Sequence, residues 1–155
     1  MGISTDYNGT SFRTRLQATW AAFFDLAGWG WEYHAPRKTI TVDTGYQSTP
    51  PVRLRTDFRV TVPCSHSECG GPHELGVQVG EYTVESQLKA DKIGCWQEPS
   101  PARFGVNPDL TRWTMCHGHG GGLFSVPERI DNADELWEQA QRNVLAGRPT
   151  LELVQ

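Results

Sequence analysis

Cysteine and histidine side chains are concentrated in one segment, CSHSECGGPH, which spans residues 64–73. Thiolate and imidazole groups are the preferred protein ligands of zinc, and a closed structural site uses four of them. This segment would supply two of the four ligands. The other two would come from Cys116, His117 or His119, or from Cys95. The pattern predicts a structural zinc at the loop 63–74, with the candidate ligands Cys64, His66, Cys69, His73, Cys116 and His119. The alternative is a set of free thiols and loop histidines in a reducing compartment.

A single carboxylate, Asp57, lies among arginines in the segment VRLRTDFRVTV at 52–62. The strict alternation of apolar and polar residues predicts a half-buried strand. Its apolar face is predicted to carry Val52, Leu54, Phe58, Val60 and Val62, and its polar face Arg53, Arg55, Asp57 and Arg59. Guanidinium groups suit phosphate recognition, so these arginines, with Arg13 and Arg15, are candidates for nucleic-acid contacts. The alternative is a structural Asp57 that neighbouring arginines neutralise.

A second short strand is predicted within HELGVQVGEY, residues 73–82. Its alternation places Glu74, Gln78 and Gly80 on one face, and Glu81 on the other. Hard divalent cations depend on carboxylate charge, which an amide oxygen does not supply and glycine lacks altogether. Glu74 with Asp57 is therefore the pair of carboxylates left for a displaced metal site, which would hold Mg²⁺ or Mn²⁺ only in an active enzyme.

The elements that position these groups follow from capping signals and periodicity. Ser11 is predicted to begin a helix that ends at Gly28, and alternation predicts a hairpin within 29–43. The aromatic residues at these periods are predicted to be core. Further predicted elements are the strands at 52–62 and 73–82, a short helix and strand within 86–96, and two short strands around a glycine-rich turn within 112–126. A last helix is predicted to begin with a capping box formed by Asn132 and Glu135. One side of that helix carries Leu136, Trp137, Ala140 and Val144.

Length and charge limit the classes of function. A chain of 155 residues favours one domain, here 11–155, after a disordered lead-in at 1–10. The order of elements predicts an α/β (α+β) fold with a central mixed sheet flanked by helices. A formal net charge of -4 excludes coating of nucleic acid by bulk charge, so any such contact must be local. The absence of a signal peptide or apolar span from the sequence predicts a cytoplasmic protein without a membrane partner.

Three segments together resemble a known family: FRTRLQATWAAFFDLAGWGWEY at 12–33, TDF at 56–58 and LGVQVG at 75–80. They are similar to the small actinobacterial and phage members of the PD-(D/E)XK, or restriction-endonuclease-like, superfamily. In those proteins a helix of the form R-x-E-A-x-W-A-x-F-F precedes strands of the forms W-x-Y-E-P, P-D-F and V-E-V-K. The resemblance implies a restriction-endonuclease-like core and chemistry on nucleic acids.

The resemblance also implies which positions would form the active site. Gln17 stands in the place of the helix glutamate, Asp57 matches the aspartate, Gln78 replaces the strand glutamate, and Gly80 replaces the lysine. Phosphodiester hydrolysis in this superfamily needs carboxylates that hold divalent cations and a lysine that stabilises charge. Three of the four groups are lost, which implies a degenerate site at Asp57, Gln17, Gln78 and Glu74.

The leading hypothesis is therefore a catalytically degenerate nuclease-fold protein, associated with a phage or mobile element, that binds DNA or a protein partner. One alternative is an active Mg²⁺- or Mn²⁺-dependent DNA endonuclease with displaced carboxylates. Another is a structural or interaction protein whose loops a zinc ion staples. The sequence leaves a homodimer open, and a phage-encoded chain would work in the host cytoplasm.

Overall fold

The computed structural model describes residues 4–42, 50–64, 72–80, 99–114 and 123–147. These residues form one large sheet and several helices, which confirms the predicted α+β single-domain class. The helix and strand predicted within 86–96 lie outside the described residues. The elements are β1 (Thr5–Tyr7), β2 (Thr10–Phe12), α1 (Arg15–Ala27), β3 (Gly30–Val42), β4 (Val52–Val62), β5 (His73–Val79), β6 (Ser100–Phe104), β7 (Thr111–Thr114), β8 (Leu123–Phe124), α2 (Val126–Arg129) and α3 (Ala133–Ala146).

The large sheet has the strand order β3-β4-β5-β6-β7-β8. Strands β3, β4 and β5 form an antiparallel meander, β6 lies parallel to β5, and β7 and β8 continue antiparallel. The predicted mixed sheet is therefore present, and β7 and β8 are the two short strands predicted within 112–126. We call the face against which α1 packs the front face and the opposite one the back face.

Helix α1 begins and ends where local chemistry requires. The Thr14 hydroxyl oxygen caps it by accepting the Gln17 N–H at 3.1 Å. Gly28 ends it with a φ of 77°, a left-handed conformation that favours glycine. The predicted start at Ser11 is wrong, because Ser11 belongs to β2 and donates its hydroxyl to Asp6 at 2.5 Å.

The N-terminal residues form a small hairpin in which β1 pairs with β2. Tyr7 and Phe12 are each only 1% exposed and join the main core. The Tyr7 hydroxyl donates to Asp25 Oδ2 at 2.8 Å, which ties the hairpin to α1. The prediction of a disordered lead-in at 1–10 is therefore wrong for residues 5–10, since burial of two aromatic rings offsets the entropy lost on ordering.

The tryptophan strand and the segment after it form one long strand, β3, so the predicted hairpin is wrong. Tyr33 pairs with Phe58, and Lys38 pairs with Thr56. The residues of β3 between these pairs therefore lie opposite Asp57 alone and form a bulge. Its sequence, HAPR, reads like a turn because proline and polar residues are typical of turns.

The bulge also changes which residues of β4 face each side. Phe58 belongs to the main core beneath α1, whereas Val52 and Leu54 pack with Ile40 in a separate apolar cluster. A strand of uninterrupted period two would have placed all its apolar residues in one layer. The predicted shared face of Val52, Leu54, Phe58, Val60 and Val62 is therefore wrong.

Gly76 of β5 identifies the two faces. Gly76 pairs directly with Arg59, so both lie on the same face. A Cβ atom added to Gly76 would lie 3.2 Å from Thr56 Cγ2 and 3.3 Å from Ile40 Cδ1. Thr56, Ile40 and Arg59 therefore share the back face. The residues that alternate with Leu54 and Thr56 lie on the front face: Arg53, Arg55 and Asp57.

The main core is aromatic, as predicted, and joins α1 to the sheet and to α3. The indole of Trp20 is fully buried, with ring centroids 4.7 Å from Phe104 and 4.4 Å from Trp137. Its Nε1 donates to the Gly105 carbonyl at 2.9 Å. These rings fill the interior and are therefore not available to stack on bases.

Helix α3 buries the predicted side. Trp137, Ala140 and Val144 are buried against α1, and Leu136 is partly buried. Asn132 is the N-cap, but its side chain makes no capping hydrogen bond within the described part of the chain, so the predicted capping box is wrong. Among the described helices, none is long and apolar enough to cross a membrane.

Candidate functional site

Asp57 lies at the bulge with no exposed surface, and donors surround its carboxylate. Oδ1 accepts hydrogen bonds from the Arg13 guanidinium, from Arg37 Nε at 2.8 Å and from Gln17 Nε2 at 3.2 Å. Oδ2 accepts the backbone N–H of Val79 at 2.8 Å. A buried charge is tolerated when it is paired and hydrogen-bonded, and both conditions hold here.

Four separate elements bring these groups together. Gln17 lies in the first turn of α1, and Arg13 precedes Thr14, the N-cap of that helix. Arg37 comes from the β3 bulge opposite Asp57, and Val79 ends β5. The bulge is what allows Arg37 to reach back to the front face, because a regular strand would have carried it past Asp57 in the ladder.

Arg13 is fixed by more than its ion pair. Its Nη1 donates to the His34 carbonyl at 2.9 Å, and its guanidinium carbon lies 5.2 Å from the centre of the Tyr33 ring, within the range of a cation–π contact. The Tyr33 hydroxyl in turn accepts the Arg13 backbone N–H at 3.0 Å and donates to Gln17 Oε1 at 2.8 Å. The cluster is therefore a closed hydrogen-bond network around one carboxylate.

The network leaves Asp57 unsuited to bind a metal ion. Each carboxylate oxygen has about two lone-pair sites: the donors from Arg13, Arg37 and Gln17 crowd those of Oδ1, and the Val79 N–H uses one of those of Oδ2. Two guanidinium cations beside the same oxygen would also repel a divalent cation. Within the described residues, no group of three or more acidic, histidine or cysteine side chains could hold a metal.

Gln78 and Glu74 do not belong to this cluster. Val77 and Val79 flank Gln78 and lie in the main core, so Gln78 points to the back face, where it pairs with Arg103 of β6. Alternation places Glu74 on the same face as Gln78, as predicted. The prediction that these two residues share a site with Asp57 is wrong, because the bulge turns Asp57 to the front.

Gly80 has a conformational reason to be glycine. Its φ is 136°, a backbone conformation that residues with a Cβ atom rarely adopt. Its N–H donates to the Phe104 carbonyl at 2.9 Å. It therefore ends β5 where the resemblance implies a lysine.

The remaining carboxylates near the predicted site form a separate group on the back face. Arg59 forms an ion pair with Glu74, and the pKa of its guanidinium is raised by that hydrogen bond and by the charge of Glu74. Glu32 Oε1 lies 3.3 Å from His34 Nε2, not beside Asp57. The displaced pair of Glu74 with Asp57 is therefore wrong, and Glu81 lies outside the described residues.

The arginines predicted to contact phosphates divide between the two faces. Arg53 and Arg55 are exposed on the front face, and Arg15 is exposed at the start of α1. Arg59 lies on the back face. Sequence reasoning missed Arg37, which only the irregular bulge brings to the cluster. We call the front basic surface the set Arg13, Arg15, Arg37, Arg53 and Arg55.

Two of the six candidate zinc ligands are described. His73 is buried at the start of β5 and pairs with Val62 at the end of β4, two residues before the partly buried Cys64. Cys64 and His73 thus flank the loop, but His66, Cys69, Cys116 and His119 lie outside the described residues. The zinc site stays a prediction.

The chain matches no family model, no curated protein and no solved structure. The described residues define its class: an α+β protein in which they form a six-stranded mixed sheet and a buried carboxylate–arginine cluster beside a basic surface.

Proposed function

We propose that the chain is a non-hydrolytic, nucleic-acid-binding protein built on a restriction-endonuclease-like scaffold. The observation that carries the proposal is that two arginines, Gln17 and a backbone N–H partner Asp57 where a nuclease would have metal ions. The two guanidinium groups beside this carboxylate disfavour the divalent metal ion that hydrolysis of a phosphodiester would require.

The arrangement of elements supports this scaffold. Helix α1, the tryptophan strand β3, the aspartate strand β4 and the strand β5 follow one another in the order that the resemblance implies. Gln17 and Asp57, which stand in the places of two active-site acids, also meet in space at 3.2 Å. This contact supports the active-site positions that the resemblance implies, where two arginines and one carboxylate give a net charge of +1.

The electrostatics of α1 favour an anionic ligand. A helix N-terminus carries a partial positive charge that acidic residues normally offset, as Asp134 and Glu135 do in α3. The first turn of α1 has no acidic residue and begins with Arg15, and Arg13 lies on the other side of the N-cap residue Thr14. The arginine charges and the partial positive charge of the helix N-terminus repel each other in the free protein. A bound phosphate would neutralise both and is therefore favoured.

Nucleic acid fits this surface better than a protein partner does. The chain has a formal net charge of -4, yet its front basic surface carries five arginines, two of which share the single carboxylate Asp57. Arginine side chains at a strand face and a helix start can contact successive backbone phosphates without reading sequence. A local surface of this kind gives binding that depends strongly on salt.

The test is binding of a short DNA duplex, measured by fluorescence anisotropy over a series of salt concentrations. With about four phosphate contacts, the affinity is expected to fall on the order of 100-fold between about 50 and 200 mM salt. Replacing Arg53 and Arg55 together by glutamine should reduce the salt slope by about 2, since each removes one phosphate contact. The matched control is Arg59→Gln on the back face, which should leave the slope unchanged.

The same duplex and a supercoiled plasmid, incubated with Mg²⁺ and then Mn²⁺, test the lack of hydrolysis. No cleavage is expected with either ion. Cleavage that disappears in Asp57→Asn, purified in the same way, would overturn the proposal and favour the nuclease.

The zinc staple is proposed as a separate structural feature of the same protein. It predicts about one zinc per chain by elemental analysis, since four protein ligands close one tetrahedral site. The metal content should fall in Cys64→Ser without loss of duplex binding, because the loop 63–74 contains none of the arginines of the front basic surface. A cytoplasmic location and a homodimer stay predictions.

A further inference from the structure

Arg37 is held by one end of its guanidinium group only. Its Nε donates to Asp57 Oδ1 at 2.8 Å, and its side chain is 38% exposed. Within the described part of the chain, its two terminal amino groups make no hydrogen bond. These amino groups form the planar fork that binds two oxygens of one phosphate. The Asp57 carboxylate therefore orients the guanidinium group of Arg37 through Nε and accepts no hydrogen bond from its two terminal amino groups.

Arg13 donates to the same oxygen, Asp57 Oδ1. Its guanidinium is held by Asp57, by the His34 carbonyl and by the Tyr33 ring, while 36% of the side chain stays exposed. Two cations that share one carboxylate oxygen repel each other, and the negative charge between them offsets that repulsion. The three groups together carry a net charge of +1.

We propose that Asp57 positions Arg37 and Arg13 as a two-guanidinium fork that takes one internal phosphodiester of a nucleic-acid strand. The inference rests on the proposed function and assigns its central contact. Asp57 is a positioning residue: it touches the arginines, not the phosphate.

The contact is assigned to an internal phosphodiester and not to a terminal phosphate monoester. An internal phosphodiester carries one negative charge, which the net charge of the fork neutralises. A terminal phosphate monoester carries about -1.5 to -2 at neutral pH, so Coulomb attraction alone would draw it to the fork more strongly. A fork that takes a terminal monoester would therefore bind a phosphorylated end more tightly, and a fork that takes an internal phosphodiester would not.

Substitutions of Arg37 test the fork. Arg37→Gln is expected to weaken duplex binding about tenfold, since a hydrogen bond to a charged group is lost. It should also reduce the salt slope by about 1. Arg37→Lys keeps the charge and so the slope, but it loses the planar fork, and its affinity should fall at every salt concentration. Arg59→Gln removes the same charge from the back face and should change neither quantity.

Asp57→Asn separates positioning from charge. This variant removes one negative charge from a chain of formal net charge -4, so a purely electrostatic role for Asp57 predicts tighter binding. A positioning role predicts weaker binding in spite of the lost negative charge, because the arginines lose the carboxylate that orients them. Circular dichroism of each variant checks that it is folded, and the Arg37 series decides the matter if Asp57→Asn does not fold.

Two outcomes would overturn the fork while leaving nucleic-acid binding in place: native affinity in Arg37→Gln, or a large gain in affinity when the duplex carries 5′-phosphates. Equal affinity for phosphorylated and unphosphorylated duplexes is the expected result. A native chain that binds neither duplex at low salt would overturn the proposed function and the fork together.

Discussion

Replacing Asp57 by alanine is expected to lower the free energy of unfolding by about 3 kcal/mol, because it removes a fully buried acceptor of four hydrogen bonds, two of them from guanidinium groups. The variant leaves the guanidinium groups of Arg13 and Arg37 side by side with no anion between them. It also leaves the buried N–H of Val79 without its acceptor. Urea unfolding followed by circular dichroism measures the difference.

The matched control is Glu74→Ala. Glu74 also pairs with an arginine, but both side chains are well exposed, at 36% for Glu74 and 50% for Arg59. Exposed ion pairs contribute roughly 0–1 kcal/mol, so this variant should unfold almost as the native protein does. Equal destabilisation by the two substitutions would contradict a structural role for the Asp57 cluster.

The other large effect is expected at Trp20. Trp20→Ala should cost about 4 kcal/mol of unfolding free energy, since it removes a fully buried indole and leaves a cavity among Phe104, Trp137 and the rest of α1. It also removes the donor to the Gly105 carbonyl at 2.9 Å. Urea unfolding again gives the value, and near-ultraviolet circular dichroism reports the packing of the remaining tryptophans.

Trp20→Phe separates the two contributions. Phenylalanine keeps most of the ring contacts but cannot donate to Gly105, so a cost of about 1–3 kcal/mol is expected from the unsatisfied carbonyl and the smaller ring. A Trp20→Ala variant that unfolds at the native urea concentration would contradict the assignment of Trp20 to the centre of the core.

Regular elements could be predicted from the sequence because their signals are local. The apolar spacing around Trp20, the Gly28 stop and the alternation of β4 each depend on residues within one or two turns. The buried side of α3 followed from Trp137, Ala140 and Val144 in the same way. The start of α1 was placed too early because Ser11 and Thr14 are both good caps, and only the pairing of Ser11 with β1 decides between them.

The candidate site could be predicted only in part, since its geometry depends on one irregularity. The meeting of Asp57 with Gln17 agrees with the positions that the resemblance implies. Strict alternation, however, cannot reveal that Arg59 and Gln78 face away from Asp57. Arg37 was missed because HAPR looks like a turn. A turn reverses the chain, whereas the strand on both sides of this bulge continues to pair with β4.

The irregular segment of β3 also bears on how the protein keeps apart from other chains. In the described sheet β3 is an outer strand, and a long regular edge would offer unpaired backbone groups to any extended chain. The bulge, with Pro36 and Arg37 within it, interrupts that edge near its middle, because proline cannot donate and a charge resists burial. The feature that gives the fork its second arginine therefore also protects the protein against edge-to-edge aggregation.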